Sequence, residues 1–259
     1  MLNFIINADD FGFSKDSVES TINLFETNVI SSATIILSMP ATKLAIEYAK
    51  KNPRFSFGIH LNYITDKIER SILPHSQIST LTNNDGSFHS TNRLRRLALM
   101  KSVDPFHIEL ETIAQINLLR ESGIKISHID SHGHIHKLPI FSRTLSKIKS
   151  KIQIEKMRNA QNIFLDKKYS SPSFWFNYWL KKNIKKNFHT TDFFYMNTNY
   201  NNYKWPEHLS SLKINGSIEV GVHPGSKEVW RSQEVETSLI LADLIKKNDE
   251  FNLISWNDL

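Results

Sequence analysis

Short apolar runs alternate along the chain with longer segments of helical spacing, and this alternation constrains the fold more than any other feature. Runs rich in β-branched and aromatic residues predict strands at Asn3–Ala8, Ala33–Leu37, Phe55–Leu61, Lys125–Asp130, Glu155–Arg158, Asp192–Met196, Ser217–Val222 and Asn252–Trp256. The periodicity between them predicts helices at Ser17–Thr27, Ala41–Lys50, Pro105–Ser122, Pro139–Ser150 and Glu234–Asn248. Because strands that alternate with helices usually pair in parallel, the sequence predicts an α/β fold.

The length of the chain favours one α/β architecture. Eight strand–helix units in 259 residues average about 32 residues each, close to the size of an eightfold β/α barrel. A doubly wound open sheet is the alternative, and it is less favoured because no glycine-rich phosphate loop follows the first strand. We expect a single TIM-like β/α barrel domain over residues 1–259, allowing for distortion, with a long loop insertion after the third strand.

Two segments interrupt the regular pattern. Residues Asn62–Val103 are too many for a βα loop, and insertions of this length are usually functional or mobile. Residues Ser170–Trp205 are rich in aromatics, lysine and asparagine. Within them Phe174–Leu180 precedes a lysine-rich stretch, which suits the headgroup zone of an anionic membrane. A buried helix with a solvated basic end and aromatic stacking on sugar rings are the other two interpretations.

The composition limits the kinds of site and partner. The chain has no cysteine, so a bound metal must be held by His, Asp or Glu. The formal net charge of +6 favours acidic partners only weakly, and we expect no nucleic-acid partner. No apolar stretch is long enough to span a bilayer, and the first residues resemble a core strand rather than a signal peptide. We expect a cytoplasmic protein, with the inner membrane face as an alternative location and with oligomerisation left open.

Reactive side chains stand where predicted strands end. Asp9 and Asp10 follow the first strand, His60 ends the third, His132 lies just past the fourth, and His223 follows the seventh. In an α/β barrel these strand ends meet on one face, where the active site is built. The sequence therefore predicts that residues far apart along the chain share one pocket.

Each of these residues also has a structural interpretation. The Asp9–Asp10 pair suits a metal ligand beside a general base. The run Asp-Phe-Gly-Phe-Ser from Asp10 to Ser14 also suits the cap at the start of a helix. His60 and His223 could each be a buried structural histidine. His128, Asp130, His132, His134 and His136 form a dense cluster that indicates metal ligation, without deciding which of them bind. Imidazoles with a carboxylate and no thiolate favour Zn²⁺, Co²⁺, Ni²⁺ or Mn²⁺ over Mg²⁺, although Mg²⁺ stays an alternative.

Four segments, in this order, resemble the motifs of the YdjC family of carbohydrate deacetylases, which includes the chitooligosaccharide deacetylases: NADDFGFS at Asn7–Ser14, GIHLN at Gly58–Asn62, HIDSHGHIH at His128–His136 and EVGVHPG at Glu219–Gly225. The resemblance implies a barrel like that of the polysaccharide deacetylases. It also implies a divalent metal held by Asp10, His60 and His132, with Asp9 as general base and His223 as the second catalytic group.

The chain departs from the family pattern in two places. Gly133 stands where the family often has a bulkier residue, and Gln161–Asn215 matches nothing in the pattern, so we expect that region to select the substrate. Asn62 and Arg158 are further candidates for substrate contact. For Arg158, pairing with a carboxylate is an equally open alternative.

The implied reaction is hydrolysis of an N-acetyl group on an amino sugar, which is either part of a soluble oligosaccharide or lipid-linked. The metal would polarise the amide carbonyl and activate a water, Asp9 would take the proton of that water, and His223 would protonate the leaving amine. The alternatives are a metal-dependent phosphoesterase or amidohydrolase and a non-catalytic sugar-binding barrel. The first pair typically carries His-x-His on the first strand, where this chain has Asp9 and Asp10.

Overall fold

The computed structural model describes residues 1–65, 68–165, 172–199 and 202–259, and within these ranges seven strands form one parallel sheet. The strands are β1 (Leu2–Phe11), β2 (Ser32–Ile36), β3 (Ser56–Leu61), β4 (Ile129–Ser131), β5 (Phe193–Met196), β6 (Gly216–Val222) and β7 (Phe251–Leu253). Their order is β4-β3-β2-β1-β6-β5, and β7 pairs with the start of β1. The prediction of a parallel α/β fold is confirmed.

The sheet curls into a distorted, TIM-like barrel. The predicted strand at Glu155–Arg158 is reduced to isolated parallel bridges, which join Met157 to Ile129 of β4 and Lys156 to His189. The amide of Ile129 donates to the carbonyl of Lys156 at 3.0 Å. The chain runs from His189 into β5. These bridges therefore connect β4, at one edge of the sheet, to the segment that leads into β5 at the other edge. The expectation of eight regular strands is therefore wrong here, since this segment meets each neighbour at a single bridge.

Helices connect the strands along the outside of the sheet. They are α1 (Lys15–Glu26), α2 (Thr42–Lys51), α3 (Thr91–Leu99), α4 (Pro105–Glu121), α5 (Pro139–Lys147), α6 (Lys149–Ile152), α7 (Pro172–Asn187), α8 (Trp205–Ser210) and α9 (Val229–Lys246). The last helix begins at Val229 rather than at the predicted Glu234. Its first turn directs Trp230 and Arg231 into a cavity instead of the apolar core, so hydrophobic periodicity does not mark it.

Aromatic side chains fill the space between the sheet and the first two helices. Phe25 of α1 stacks on Phe55 with ring centroids 4.4 Å apart, and Phe11 of β1 stacks on Phe57 of β3 at 6.1 Å. Tyr48 of α2 packs against the same group. These contacts fix the carboxyl end of β1, and they therefore hold the two preceding carboxylates, Asp9 and Asp10, in a defined position.

The insertion after β3 is a packed unit rather than a loose loop. Ile78, Leu81 and Phe88 are fully buried within it. The insertion is anchored to α4 because the amide of Ile72 donates to the carboxylate of Glu111 at 2.9 Å. The insertion also contributes Glu69 to the lining of the cavity described below.

The second irregular segment contains α7 and β5, and α8 begins at its last residue, Trp205. Ser170 and Ser171, at its start, lie outside the described residues, as do Tyr200 and Asn201. Within the described part of the chain, every helix is too short or too polar to cross a bilayer.

Candidate metal centre and active site

The three predicted metal ligands lie together at the carboxyl ends of the strands. Oδ1 of Asp10 is 3.1 Å from Nδ1 of His132 and 3.5 Å from Nε2 of His60. Each side chain offers one ligand atom, and these atoms all lie within 4.8 Å of one another. Asp10 and His60 are buried, whereas His132 is 15% exposed. Two imidazoles and one carboxylate that converge in this way form a facial donor set with open positions, which fits a divalent transition metal.

The backbone turns at the end of β1, so Asp9 and Asp10 point to different partners. Asp10 adopts a left-handed backbone conformation with φ of 59°, an uncommon one for a residue other than glycine. The pairing of β1 with β2 shifts register between Ala8 and Phe11, so the strand is irregular at the site. Helix α1 is capped by Ser14, whose hydroxyl accepts from the amide of Ser17 at 3.1 Å. The aspartates are therefore free of the capping role that the sequence left open.

His60 is held by the carboxylate of Asp130. Its Nδ1 lies 2.7 Å from Oδ1 of Asp130, and the hydroxyl of Thr34 donates to the other carboxylate oxygen at 3.0 Å. A carboxylate accepts hydrogen bonds, so Nδ1 of His60 carries the proton and Nε2 is available as a ligand. This arrangement of carboxylate, histidine and metal position is a common outer shell of metal sites. Sequence reasoning grouped Asp130 with the histidine cluster but did not find this role.

Asp9 lies behind the metal position and is bound by Arg158. The guanidinium donates to both carboxylate oxygens, at 2.5 and 2.7 Å. Burial alone would raise the pKa of Asp9, but the attraction and hydrogen bonds of Arg158 outweigh it and hold that pKa well below its usual range. Asp9 is consequently a carboxylate throughout the physiological pH range. Its Oδ2 lies 3.9 Å from Nε2 of His223.

Arg158 does not reach the surface. It is fully buried, and besides Asp9 it binds Asp130 at 2.7 Å and Glu219 at 2.8 Å. The alternative of carboxylate pairing is therefore the one observed, and the expected substrate contact of Arg158 is corrected. Sequence reasoning missed Glu219, although this carboxylate sits within an apolar strand. Burial raises the pKa of Glu219 to about 7, despite the opposing effect of Arg158.

Asn62 is also buried and serves the backbone. Its side-chain oxygen accepts from the backbone N–H of Ile64 at 3.1 Å, and its backbone N–H donates to the side-chain oxygen of Gln115 at 3.0 Å. Asn62 does not line the cavity beside the metal ligands. These contacts fix the chain directly after His60. Asn62 therefore helps to position the candidate metal ligand His60 and does not face the cavity.

His223 is paired with Glu234 of α9. Oε2 of Glu234 lies 3.2 Å from Nδ1 of His223 and accepts from its backbone amide at 2.5 Å. Burial would lower the pKa of His223, but the attraction of Glu234, and then of Asp10 and Asp9, raises it to about 9. In this charge environment the side chain is an imidazolium at neutral pH, with Nε2 directed towards Asp9. Glu234 was not among the predicted site residues.

The other histidines of the dense cluster make structural contacts. His128 stacks on Trp256 with ring centroids 4.4 Å apart, and His136 bonds to the hydroxyl of Ser131 at 2.8 Å. Both are fully buried, and burial lowers their pKa values well below the ordinary value. The chain turns sharply after His132, where Gly133 has φ of 58°. Among the described histidines of the cluster, only His132 thus belongs to a set that could hold a metal ion, while Asp130 joins a second such set with Asp9 and His60.

A cavity of about 330 Å³ opens beside the metal ligands. It is lined by Asp10, Phe13, Glu69, His132, Gly133, His134, Met196, His223, Glu228, Trp230 and Arg231. Arg231 donates to Oδ2 of Asp10 at 2.9 Å, so Oδ1 of Asp10 is left for the metal position. The guanidinium of Arg231 lies 4.4 Å from the ring of Trp230. Sequence reasoning missed Arg231 and Trp230; their position just after the turn that follows His223 was the available signal.

Comparisons with known proteins identify a matching family profile and several relatives. The profile of the family described as YdjC-like protein matches residues 3–253. Over 137 residues the chain is 36% identical to a carbohydrate deacetylase of Listeria monocytogenes serotype 4a (strain HCC23), covering 53% of this chain and 54% of the relative. Over 153 residues it is 29% identical to a carbohydrate deacetylase of Vibrio vulnificus (strain CMCP6), covering 59% and 57%. The chain thus spans about half the length of the curated relatives that it matches.

One solved structure has the same fold over its whole length. It is a protein of Enterococcus faecalis V583 named as a putative cellobiose-phosphate cleavage protein, with a TM-score of 0.78 and 22% sequence identity. The match covers 99% of this chain and 98% of the other. At this level of identity the likeness shows the fold alone, and it supports the distorted barrel described above.

Proposed function

Because this chain belongs to the YdjC-like protein family, we propose that it is a metal-dependent carbohydrate deacetylase that hydrolyses the N-acetyl group of an amino sugar. The names of its curated relatives support the class of reaction. The observation that carries the proposal is the convergence of Asp10, His60 and His132 at the wall of a cavity, with Asp9 and His223 beside them. This set supplies metal ligands, a base and an acid.

Asp10, His60 and His132 would hold the divalent metal, with Zn²⁺, Co²⁺, Ni²⁺ and Mn²⁺ favoured over Mg²⁺ by the two imidazoles. Such an ion polarises a carbonyl group and lowers the pKa of a water molecule. The protein's own residues prepare the site for it. Asp130 fixes the proton of His60 on Nδ1, and Arg231 occupies the second oxygen of Asp10. The ligand atoms are thereby oriented before any ion binds.

Asp9 and His223 would move the protons. Asp9 accepts the proton of the attacking water, and Arg158 keeps its carboxylate charged and immobile for that step. The low pKa of Asp9 makes it a weak base, so it acts on a water that is already acidified. His223 enters the reaction protonated, because Glu234 stabilises the imidazolium, and it donates the proton from Nε2 to the departing amine. The products are acetate and a free amino sugar.

The cavity supports a sugar as the substrate. Its volume of about 330 Å³ lies at the small end of ligand sites, which suits one sugar ring with the rest of the substrate outside. Phe13 and Trp230 offer aromatic surface to a ring, while Glu69 and Glu228 offer carboxylates to hydroxyl groups.

Acetate release from a panel of N-acetylated sugars, with and without a chelator, tests the proposal. We expect release that stops with chelator and returns with added Zn²⁺, Co²⁺, Ni²⁺ or Mn²⁺. Release of phosphate from phosphate esters, with none of acetate, would favour the phosphoesterase alternative. Sugar binding without turnover in the metal-loaded protein would favour the non-catalytic barrel.

A further inference from the structure

Three aromatic side chains of helix α7 face solvent. Its core-facing side carries Leu180 and Ile184, which are 0% and 1% exposed. The outward side carries Trp175, Tyr178 and Trp179, which are 61%, 43% and 44% exposed. The sequence left open whether this segment is a buried helix, and the structure shows that three of its largest rings are at the surface. Grouped exposed rings of this size mark an interaction surface.

The exposed rings continue into lysines along the same side of the helix. Lys182 follows Tyr178 by four residues, with Nζ 5.0 Å from the centre of that ring, and Lys186 follows Lys182 by four. Residues at this spacing lie on one helical face. We call Trp175, Tyr178, Trp179, Lys182 and Lys186 the aromatic–basic stripe. The helix contains no acidic residue, so the charge of the stripe is uniformly positive.

The other two lysines of α7 are engaged within the protein. Lys181 donates to the backbone carbonyl of Asp192 at 2.7 Å, and Lys185 pairs with the carboxylate of Asp192 at 2.8 Å. These contacts fasten the flank of α7 to the start of β5. They hold the stripe in a fixed orientation, pointing away from the barrel.

The stripe lies beside the face of the barrel that carries the candidate active site. Helix α7 precedes β5, and in a β/α barrel such a helix begins near the carboxyl ends of the strands. Trp175, Tyr178 and Trp179 are in the first half of α7, whereas Lys182 and Lys186 lie further along it. The helix also packs against the turn His132–Lys137, which begins with a candidate metal ligand. The rings are thus on the side where the cavity opens.

We propose that the aromatic–basic stripe docks this protein on an anionic membrane surface, with the active-site face near the lipid. Trp and Tyr rings are suited to the headgroup zone, and the lysines that follow them along the helix can bind lipid phosphates. A second copy of this chain would bring two positive stripes together on proteins of net charge +6, which is unfavourable. A corollary, which rests on the proposed function, is that the substrate is an N-acetylated sugar carried on a lipid.

Vesicle sedimentation tests the docking without any need for activity. We expect the wild type to bind vesicles of phosphatidylglycerol and phosphatidylcholine at low salt, and to bind pure phosphatidylcholine much less. Lys182→Gln with Lys186→Gln should weaken binding roughly 30-fold, because each lysine near an anionic leaflet contributes about fivefold. Trp175→Ala with Trp179→Ala should also release the protein, and all four side chains are exposed.

The matched control is Lys50→Gln with Lys51→Gln, which removes the same charge at the end of α2, where the chain leads into the amino end of β3 and away from the carboxyl ends of the strands. We expect this control to bind like the wild type. Equal loss of binding in the control would show a general charge effect and overturn the proposal, as would a wild type that ignores anionic vesicles. A stripe variant that changes the oligomeric state instead would identify a second copy as the occupant.

Activity separates the docking from the proposed function. Stripe variants should slow deacetylation of a lipid-linked N-acetylhexosamine in anionic vesicles and leave acetate release from a soluble N-acetylated sugar unchanged. Equal rates on the vesicle substrate would overturn the corollary. If the wild type releases no acetate from any sugar, the deacetylase proposal is contradicted, whereas the vesicle-binding result still holds.

Discussion

Nδ1 of His60 lies 2.7 Å from Oδ1 of Asp130, and the register of β3 and β4 places these two residues opposite each other. The sheet pairing itself therefore orients a metal ligand. Thr34 of β2 donates to the same carboxylate, so three adjacent strands fix one imidazole ring. Preorganisation of this kind reduces the entropy lost when the ion binds.

Asp130→Asn should weaken metal binding by about 10- to 100-fold, the usual effect of removing an outer-shell carboxylate. Asparagine still accepts a hydrogen bond from His60, so the ring should stay in place while its ligand nitrogen becomes less basic. Competition with a fluorescent chelator measures the affinity. An Asp130→Asn protein with wild-type metal affinity would show that this carboxylate only pairs with Arg158.

His60→Ala and His132→Ala should each abolish stoichiometric metal binding and acetate release while leaving a folded protein. Each substitution leaves two donors of the facial set, too few to hold an ion tightly. Elemental analysis gives the occupancy, and circular dichroism monitors the fold. His208→Ala, at an exposed position of α8, is the control and should keep the metal. Full occupancy in both ligand variants would refute the assignment.

Asp9→Asn should keep the metal and lower kcat by about 10²–10⁴-fold, the usual range for loss of a general base. The neutral amide cannot accept the proton, and it can accept only one of the two hydrogen bonds that Arg158 donates to Asp9. Asp243→Asn, at an exposed position of α9, should have the activity of the wild type. A rate near wild type for Asp9→Asn would mean that another group is the base.

Glu234→Gln should move the high-pH limb of the rate profile to lower pH by roughly one to two units, because a neighbouring carboxylate raises a histidine pKa by about that much. The sign follows from the proposed role of His223 as an acid. Activity falls as pH rises through the pKa of His223, which the carboxylates around it raise to about 9. A cation on Asp10 would offset part of that rise in both proteins, so their difference is the informative quantity. The profile of kcat/KM measures it, with Glu236→Gln as the exposed control on α9.

Gly58→Ala should destabilise the protein by about 1–3 kcal/mol or more, since overpacking a tight interior has this cost. A β-carbon at Gly58 would lie 2.5 Å from the ring of His128 and 2.8 Å from its backbone oxygen, which cannot move aside. Gly221→Ala is the matched strand variant, with its nearest contact at 3.3 Å on the ring of Phe194, and should cost less. Urea unfolding compares the two; equal midpoints would argue against the packing explanation.

The sequence was informative about the fold wherever a segment had a strong apolar period. It predicted the parallel strands around β1 and the helices that follow them, because burial of one face dictates the spacing of apolar residues. It overestimated the segment Glu155–Arg158, which meets its neighbours only at isolated bridges instead of pairing continuously. It also missed the first turn of α9, which faces a cavity.

Parallel strands end on a common face, so the residues at those ends were expected to share one pocket. The resemblance to the YdjC family then implied Asp10, His60 and His132 as the metal ligands. Which atoms meet, and which groups hold them, depended on the tertiary structure. The left-handed turn at Asp10 separates it from Asp9. The curl of the sheet encloses Arg158 among carboxylates from three strands, which are Asp9 of β1, Asp130 of β4 and Glu219 of β6. Such contacts join residues distant in the chain, and no local pattern encodes them, because a side chain's partners are set by register and curvature rather than by its neighbours in sequence.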